Sequence, residues 1–181
     1  MESNMKKIFG ITLLSLSFLF ANANKDPIGI DVYAGTFFPV SDKIRDALGG
    51  VWLLYGITPS ETPSEESEWK VLPGLSFLSR SKNGNNVFLV RPTANLVRYF
   101  GNEETKVRPY VTASVGPAYY NYAITIDGKR FSTQRIGLGG GVGAGVLINE
   151  RFRIGLQLDA WSQFDHLNFN GITVEAAYRI F

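Results

Sequence analysis

The stretch from residue 136 to residue 160 constrains the fold of this chain more than any other part of it. Its first half reads IGLGGGVGAGVLI, in which the even-numbered residues are apolar apart from Gly140 and the odd-numbered ones from 137 to 145 are all glycine. After Asn149-Glu150-Arg151 the alternation resumes, and the even-numbered residues from Phe152 to Ala160 are apolar. A period of two sustained over this length predicts two strands joined by a tight turn, because a helix repeats every 3.6 residues.

A strand face made only of glycine indicates what kind of sheet this hairpin belongs to. Glycine is flexible and offers no side chain for pairing, so such a face is a poor soluble surface. It suits the inner wall of a narrow closed barrel, where bulky side chains from facing strands need space. Each arm spans about ten residues, which is the length that a tilted strand needs to cross a bilayer. The hairpin therefore predicts part of a membrane β-barrel.

The rest of the chain repeats this alternation in further segments, which are separated by stretches rich in Gly, Asn, Asp and Ser. With the hairpin they give eight predicted strands, at residues 28–40, 51–57, 69–77, 88–100, 107–119, 136–148, 152–160 and 172–180. An even number of consecutive strands is typical of an outer-membrane barrel. We therefore predict an all-β fold, an eight-stranded antiparallel up-and-down transmembrane β-barrel. The prolines inside these strands lack a ladder donor and are expected to mark bulges or strand ends.

The N-terminus indicates where the chain is delivered. Two lysines precede an apolar run from Ile8 to Phe20, and Ala21-Asn22-Ala23 follows that run. A basic segment, a short apolar run and a small-x-small site together are typical of a secretory signal peptide. We predict that residues 1–23 are the signal peptide and that residues 24–181 form the outer-membrane barrel domain.

Composition argues against two other classes of function. The formal net charge is +2 and charged residues make up 19% of the chain, so a nucleic-acid-binding role is not expected. The sequence contains no cysteine, which leaves no disulfide bond and no cysteine-ligated metal site.

Alternation also occurs in soluble barrels of the lipocalin type, which turn their apolar face inward around a ligand. The polar face of such a barrel should be rich in Lys and Glu, but here it carries mainly Gly, Ser, Thr, Asn, Gln and Tyr. Aromatic residues lie near the strand ends, as interfacial girdles do: Phe38, Trp69, Phe100, Tyr119, Phe152, Phe164 and Tyr178. These features favour lipid on the outside, and a periplasmic lipocalin-like barrel that binds an apolar ligand is the alternative.

If the apolar parity faces lipid, the polar and charged residues of the other parity point into the barrel. An eight-stranded barrel has an interior just wide enough to be filled by side chains. Buried charges are costly unless they satisfy one another, so we expect a connected network that plugs the lumen rather than a gated ion path. Its predicted members are Asp31, Lys70, Arg91, Arg108, Tyr110, Arg153, Gln157, Asp159, Glu175 and Arg179.

The connections between strands are expected to divide between the two sides of the membrane. With both chain ends in the periplasm, segments 41–50, 79–86, 125–133 and 164–170 face outside, and segments 58–68, 101–106 and 149–151 face the periplasm. Within the first of these, Ser41 is expected to cap a single helical turn that Gly49 ends.

With these features the chain resembles the small eight-stranded outer-membrane barrels, the group that includes the transmembrane domain of outer membrane protein A and outer membrane protein X. The resemblance covers residues 28–181 and rests on the strand pattern, the signal peptide and the C-terminal Phe181. It implies that Phe181 serves as an insertion signal. It also implies that the partners are outer-membrane lipid and the outer-membrane insertion machinery, in the cell outer membrane of a Gram-negative bacterium.

Signals for catalysis are weak. Residues 139–144 match G-x-G-x-x-A, but a dinucleotide site needs a following helix, and strand is predicted here. His166 follows Asp165 and lies four residues after Ser162. These residue types can form a nucleophile and a base, as in barrels that trim or acylate lipid A, but we expect His166 to occupy a turn at the rim. We predict no enzyme activity, cofactor or metal site and a structural or surface-binding role, with a lipid A-modifying enzyme as an alternative.

Overall fold

The computed structural model describes residues 29–60, 69–101 and 105–180. This part of the chain forms eight strands and one short helix. In chain order they are β1 (Gly29–Pro39), α1 (Asp42–Leu48), β2 (Trp52–Ser60), β3 (Lys70–Lys82), β4 (Asn85–Tyr99), β5 (Val107–Ile126), β6 (Lys129–Ile148), β7 (Phe152–Trp161) and β8 (Gly171–Arg179). The predicted signal peptide, the predicted insertion signal Phe181 and most of the polar segment 58–68 lie outside the described residues.

The strands form one closed antiparallel sheet. Each strand pairs with its neighbour in sequence, and β1 also pairs with β8, with Asp31 opposite Arg179 at this seam. The predicted eight-stranded antiparallel up-and-down barrel is therefore confirmed. We call the end that carries α1 the upper end and the end that carries the 149–151 turn the lower end.

The apolar parity of the strands faces outward. Ile136, Leu156 and Val174 are 65%, 52% and 43% exposed, whereas Arg153 and Asp159 of the other parity are 7% and 6% exposed. A soluble barrel of the lipocalin type requires the reverse arrangement, with these apolar side chains around an internal ligand.

Exposed aromatic side chains lie near the strand ends on this outer face. Phe38 lies near the upper end, and Trp69, Phe100, Phe152 and Tyr178 lie near the lower end, all at least 38% exposed. The prediction for Phe164 was wrong. Its ring packs on the apolar core of the upper end, with its centroid 5.0 Å from that of Tyr120.

The glycine face of the β6–β7 hairpin accommodates a tyrosine from β5. A Cβ atom placed on Gly145 would lie 2.7 Å from the Tyr110 hydroxyl oxygen, and one placed on Gly155 would lie 2.3 Å from the same oxygen. Likewise, a Cβ atom on Gly56 would lie 2.3 Å from the hydroxyl oxygen of Tyr33. The missing side chains of one wall thus make room for large side chains from the facing wall, as a narrow barrel requires.

Two of the predicted outside loops are tight turns, because the strands beside them are longer than predicted. Strands β5 and β6 have 20 residues each and are joined by Asp127-Gly128 alone. Strands β3 and β4 are joined by Asn83-Gly84. All four turn residues have positive φ angles between 50° and 76°, the backbone that Asn-Gly and Asp-Gly hairpin turns adopt. The connections predicted within 79–86 and 125–133 therefore exist, but their predicted lengths were wrong, because most of these residues belong to the strands.

The polarity of the wall inverts above Tyr119 and Ile136. Higher on β6, the outward positions are Arg130, Ser132 and Gln134, while inward Tyr120, Tyr122 and Ile124 of β5 are fully buried. We call this upper structure the crown and define it as residues 37–54, 78–89, 118–137 and 161–170. Its apolar core contains Phe37, Ile44, Leu48, Trp52, Tyr120, Tyr122 and Phe169.

Helix α1 lies over the upper opening of the barrel. It follows Ser41 and ends at Gly49, as predicted, with a φ angle of 85° at that glycine. The Ser41 side chain makes no capping hydrogen bond, so the predicted side-chain cap was wrong. No helix in the described part of the chain is long and apolar enough to cross a membrane.

Side chains from three strands bind the C-terminal carbonyl groups of α1. The end of a helix leaves such carbonyls without intrahelical partners, and donors from the barrel supply them here. The three bonds are Asn85 Nδ2 to Ala47 O at 3.0 Å, Arg80 Nε to Leu48 O at 2.9 Å and Trp52 Nε1 to Gly49 O at 2.9 Å. These bonds fix α1 in place.

Two prolines face each other in the middle of the sheet. The pairing of β4 with β5 is interrupted between Val90↔Tyr119 and Ala94↔Val115, and the register is the same on both sides. Pro92 and Pro117 lie opposite each other in this gap, and neither has an N–H to donate. These two prolines interrupt the ladder without shifting it, so the prediction that prolines mark bulges or strand ends was wrong for them, whereas Pro39 does end β1.

Candidate functional site in the barrel interior

The lower lumen holds a carboxylate between two guanidinium groups. Asp31 of β1 is 2% exposed. Its Oδ2 lies 3.5 Å from Arg153 Nε of β7, and its Oδ1 lies 3.4 Å from Arg179 Nε of β8. Because Asp31 and Arg179 lie on the first and last strands, this ion pair joins the two ends of the sheet across the seam.

Aromatic and aliphatic side chains surround this group. The ring centroids of Tyr99 and Tyr110 are 5.8 Å apart, and Arg153 Cζ lies 5.6 Å from the centroid of the Tyr110 ring. The latter geometry is a cation–π contact. Tyr99 and Tyr110 form a buried cluster with Leu72, Val97 and Leu147, so apolar groups fill the lower lumen beside the charges.

The middle of the lumen is organised around Asp159 of β7. Its Oδ1 accepts hydrogen bonds from Arg91 Nη2 at 3.2 Å and from Gln157 Nε2 at 2.7 Å, and its Oδ2 accepts one from Thr173 Oγ1 at 2.5 Å. Arg91 Cζ also lies 4.4 Å from the centroid of the Trp161 ring. Both carboxylate oxygens are thus used, as a buried charge requires.

A small cavity of about 50 Å³ lies between the two charged groups. Tyr33, Arg91, Ser114, Arg153 and Glu175 are among the residues that line it. Within the described part of the chain, Arg91 Nε, Arg91 Nη1 and Ser114 Oγ have no hydrogen-bond partner. A cavity of this size has room for about three water molecules, which could bridge these polar atoms.

The structure brings eight of the ten predicted lumen residues together. They lie in the Asp31 group, in the Asp159 group or on the cavity between them: Asp31, Arg91, Tyr110, Arg153, Gln157, Asp159, Glu175 and Arg179. The other two lie elsewhere. Arg108 is 1% exposed, and its Nε and Nη1 have no hydrogen-bond partner in the described part, while Lys70 is half-buried at the lower end of β3. The hydrogen bonds and ion pairs described above surround Asp31 and Asp159.

The apolar core of the crown occupies the lumen above Asp159 and was not predicted from the sequence. The largest of its buried side chains are Trp52, Tyr120, Tyr122, Phe37 and Phe169. The spacing of Tyr120, Tyr122 and Ile124 carries a signal for it. These residues continue the inward parity of β5, but they are large where Thr112, Ser114, Gly116 and Ala118 before them are small.

The three residues considered for catalysis do not assemble. Ser162 Oγ accepts a hydrogen bond from the Leu138 N–H at 2.8 Å, and Asp165 Oδ2 accepts one from the Tyr122 hydroxyl at 2.8 Å. His166 lies in a turn that joins Phe164 and Leu167, as predicted. No hydrogen bond joins Ser162, Asp165 and His166 to one another among the described residues, so they form no triad of the kind that nucleophilic catalysis uses.

The described residues also form no metal site and no dinucleotide site. No group of three or more His, Cys, Asp or Glu side chains in the described ranges is placed to hold a metal ion. Residues 139–144, the G-x-G-x-x-A match, lie inside strand β6, which continues to Ile148. A dinucleotide site requires a helix at that point.

Comparison with known proteins identifies the fold. No family model matches the chain, and no curated protein does. Among solved structures, the N-terminal β-barrel domain of Pseudomonas aeruginosa OprF matches with a TM-score of 0.55 and 17% identity, over 84% of this chain and 97% of that one. Ail, the attachment invasion locus protein of Yersinia pestis, gives 0.53 and 16% over 84% and 97%. The outer membrane enzyme PagL gives 0.54 and 13% over 83% and 99%.

These matches confirm the predicted resemblance at the level of the fold. The chain has the architecture of the small eight-stranded outer-membrane β-barrels. The identities are too low to carry a function across, and the same fold hosts unrelated activities in different proteins.

Proposed function

We propose that this protein is an integral outer-membrane β-barrel with a closed lumen and a structural or surface-binding role, and that it is not an enzyme. The observation that carries the proposal is the outward orientation of the apolar parity. Leu138, Val142 and Leu158 are each more than half exposed, and large contiguous apolar surfaces are unfavourable in water. Lipid around the barrel removes that cost, which supports a place in the outer membrane.

Three layers of side chains support a closed lumen. Apolar residues such as Leu72 and Leu147 fill the lower layer, and the Asp159 group occupies the middle. The crown core and α1 fill the upper layer, where Trp52 and Leu48 are fully buried. An ion crossing this path would have to displace two apolar layers and break buried ion pairs, so we infer that the lumen does not conduct.

An open sheet edge in the crown supports the surface-binding role. Strand β7 pairs with β6 only from Gly139↔Trp161 downward, so above that point β6 has a partner strand on one side only in the described part of the chain. Across the two-residue turn Ile126 pairs with Lys129, and this pair is hydrogen-bonded in such hairpins. The backbone N–H and C=O groups of residues 130, 132, 134 and 136 therefore point to the open side.

Such an edge can accept an extended segment of another protein. Main-chain hydrogen bonds then give affinity, and the side chains beside them give selectivity. The next residue in the same series, Leu138, already bonds on this side, since its N–H donates to Ser162 Oγ and its C=O accepts from the Ser162 N–H. We propose that the β6 edge is the surface through which this barrel binds a partner outside the cell.

Single cysteines test both the location and the exposed edge. The natural chain contains no cysteine, so Ser132→Cys reports only the β6 edge and Arg151→Cys reports only the lower turn. We expect a membrane-impermeant maleimide to label Ser132→Cys on intact cells, and to label Arg151→Cys only after the outer membrane is permeabilised. Both variants should fractionate with the outer membrane and migrate faster on a gel when unheated.

Three outcomes would contradict the proposal. Release of the protein by osmotic shock would make it a soluble periplasmic barrel. Labelling of Arg151→Cys but not Ser132→Cys on intact cells would invert the proposed topology. Failure to label Ser132→Cys in permeabilised cells as well would show that the β6 edge is covered.

A further inference from the structure

The open edge of β6 carries three cationic side chains. The stretch with a partner strand on one side only in the described part of the chain, residues 129–136, contains Lys129, Arg130 and Arg135, and all three are exposed. The same stretch contains no Asp and no Glu. The part of the sheet that can accept another strand is therefore also positively charged.

Neutral groups orient these cations. Lys129 Nζ lies 5.2 Å from the centroid of the Phe131 ring, and Arg135 Cζ lies 5.7 Å from that of Phe164. Arg130 Nη1 donates a hydrogen bond to a threonine hydroxyl of β5 at 3.4 Å. Contacts of this kind hold the side chains beside the edge, but they bring no negative charge to it.

The nearby carboxylates are engaged elsewhere. Asp165 accepts a hydrogen bond from the Tyr122 hydroxyl at 2.8 Å, and Asp127 of the β5–β6 turn lines the pocket beside α1 together with Lys43. No carboxylate of the described residues forms an ion pair with the three edge cations. Even if Asp127 and Asp165 are both counted, three cations outnumber two carboxylates, so the edge keeps a net positive charge.

The three cations lie on both faces of β6. Arg130 is on the outward face, and Lys129 and Arg135 are on the other face, because successive side chains of a strand alternate. A strand that pairs with this edge also has side chains on both faces, about 5 Å from those of β6. Acidic residues of one added strand can therefore meet all three cations.

We propose that the partner segment at the β6 edge is an extended, acidic stretch of another protein. This inference rests on the proposed function, which makes the edge a binding surface outside the cell. An acidic glycan would match the charge, but it has no row of alternating N–H and C=O groups to pair with the backbone. A second copy of this chain would bring the same three cations to the interface, and like charges across a strand pair are destabilising.

The test uses the full-length mature chain in detergent micelles and a synthetic peptide with capped ends. In an antiparallel pairing the peptide has Glu opposite Lys129, Arg130 and Arg135, and Thr or Val elsewhere. The readout is the NMR amide resonances of Arg130, Ser132 and Gln134, whose N–H groups point to the open side. We expect saturable shifts at these amides. A peptide with Gln in place of each Glu should bind about 30-fold more weakly, about threefold for each exposed ion pair lost.

A further peptide separates strand pairing from simple charge attraction. It keeps every Glu but carries N-methyl groups on the residues whose N–H groups would point to β6. The main-chain donors are then lost, while the charge and the protein stay unchanged. We expect its affinity to fall at least tenfold, because each hydrogen bond contributes a factor of about five.

Variants of the protein test the same charges from the other side. Arg130→Gln/Arg135→Gln should bind the Glu peptide about tenfold more weakly than the natural chain does, about threefold for each ion pair. Arg151→Gln is the matched control, because it removes one exposed arginine from the turn at the lower end of the barrel. It should bind the Glu peptide as the natural chain does.

Equal affinities for the Glu and Gln peptides would overturn the proposal, and so would equal affinities for the Glu peptide and its N-methylated form. Saturation of the same amides by dextran sulfate at a lower concentration would assign the edge to an acidic glycan instead. Shifts that grow with protein concentration alone would assign it to a second copy. The proposed function is tested separately, because labelling of Ser132→Cys on intact cells without any response to the Glu peptide would refute only the acidic partner.

Discussion

Replacing Asp159 with alanine is expected to destabilise the folded barrel by about 3–5 kcal/mol, the cost of breaking a buried ion pair by removing one partner. Asp159 accepts hydrogen bonds from Arg91, Gln157 and Thr173. Arg91 is 4% exposed, so the variant would leave a buried guanidinium without its counter-charge. The measurement is the free energy of unfolding in denaturant, made in one detergent for all variants.

A double variant separates the charge from the packing. Replacing both partners of a buried pair with apolar residues is often nearly neutral, so Arg91→Leu/Asp159→Leu should recover most of the stability that Asp159→Ala loses. Asp46→Ala on the exposed face of α1 is the matched control, expected to change stability by less than about 0.5 kcal/mol. If Asp159→Ala is no more destabilising than Asp46→Ala, Asp159 does not organise the middle of the lumen.

A second large effect is expected where a methyl group is added to Gly145. The new Cβ atom would lie 2.2 Å from the backbone oxygen of Ile154 and 2.7 Å from the Tyr110 ring. The backbone oxygen cannot move without disturbing the pairing of β6 with β7, so Gly145→Ala should cost about 3 kcal/mol or more. The loss would be measured as a lower denaturant midpoint and a smaller fraction of the faster-migrating folded form on unheated gels.

Gly155 provides the matched comparison across the same pair of strands, because Gly145 and Gly155 lie opposite each other. A Cβ atom on Gly155 would meet only the end of the Tyr110 side chain, at 2.3 Å, with no other atom closer than 3.4 Å. Gly155→Ala should therefore cost about 1 kcal/mol, and Tyr110→Phe should relieve it without relieving Gly145→Ala. Equal costs for the two alanine variants would mean that the β6 backbone can shift.

The strand count, the closure of the sheet and the outward apolar face were all predictable from the sequence. The pleat places successive side chains on opposite faces, so the alternation around Ile136 and Leu156 fixes which residues share a face without any knowledge of tertiary contacts. The glycine parity also predicted where large inward side chains fit. Tyr110 lies against Gly145 and Gly155 for this reason.

The upper parts of β5 and β6 were not predicted because they keep the alternation but reverse its polarity. Inward Tyr120 and Tyr122 pack in an apolar core, and outward Ser132 and Gln134 are polar. This reversal is what a strand shows when it passes from lipid into water, where the solvent-facing side must be polar. Because an apolar outer face was required of every strand, β5 was predicted to end at residue 119 and β6 to begin at residue 136. The strands in fact extend to Ile126 and Lys129.

The sequence also did not predict which charged side chains pair inside the barrel. Parity predicts that Arg91 and Asp159 both point inward, but they are 68 residues apart and meet only because of the stagger between the strands. Lys70 lies near the lower rim because it begins β3. The three strand side chains that bind the end of α1 depend on the folded barrel in the same way, so the sequence predicted the helix but not its attachment.

The most direct test of the account is to ask which side chains touch lipid. In nanodiscs, NMR cross-relaxation from acyl-chain protons to protein methyl groups measures this on the natural sequence without any substitution. We predict strong cross-peaks to Ile136, Leu156 and Val174 and none to Leu147 and Thr173, which are each 1% exposed. Cross-peaks to Leu147 and Thr173 with none to the other three, or a chain that stays in water beside intact nanodiscs, would contradict it.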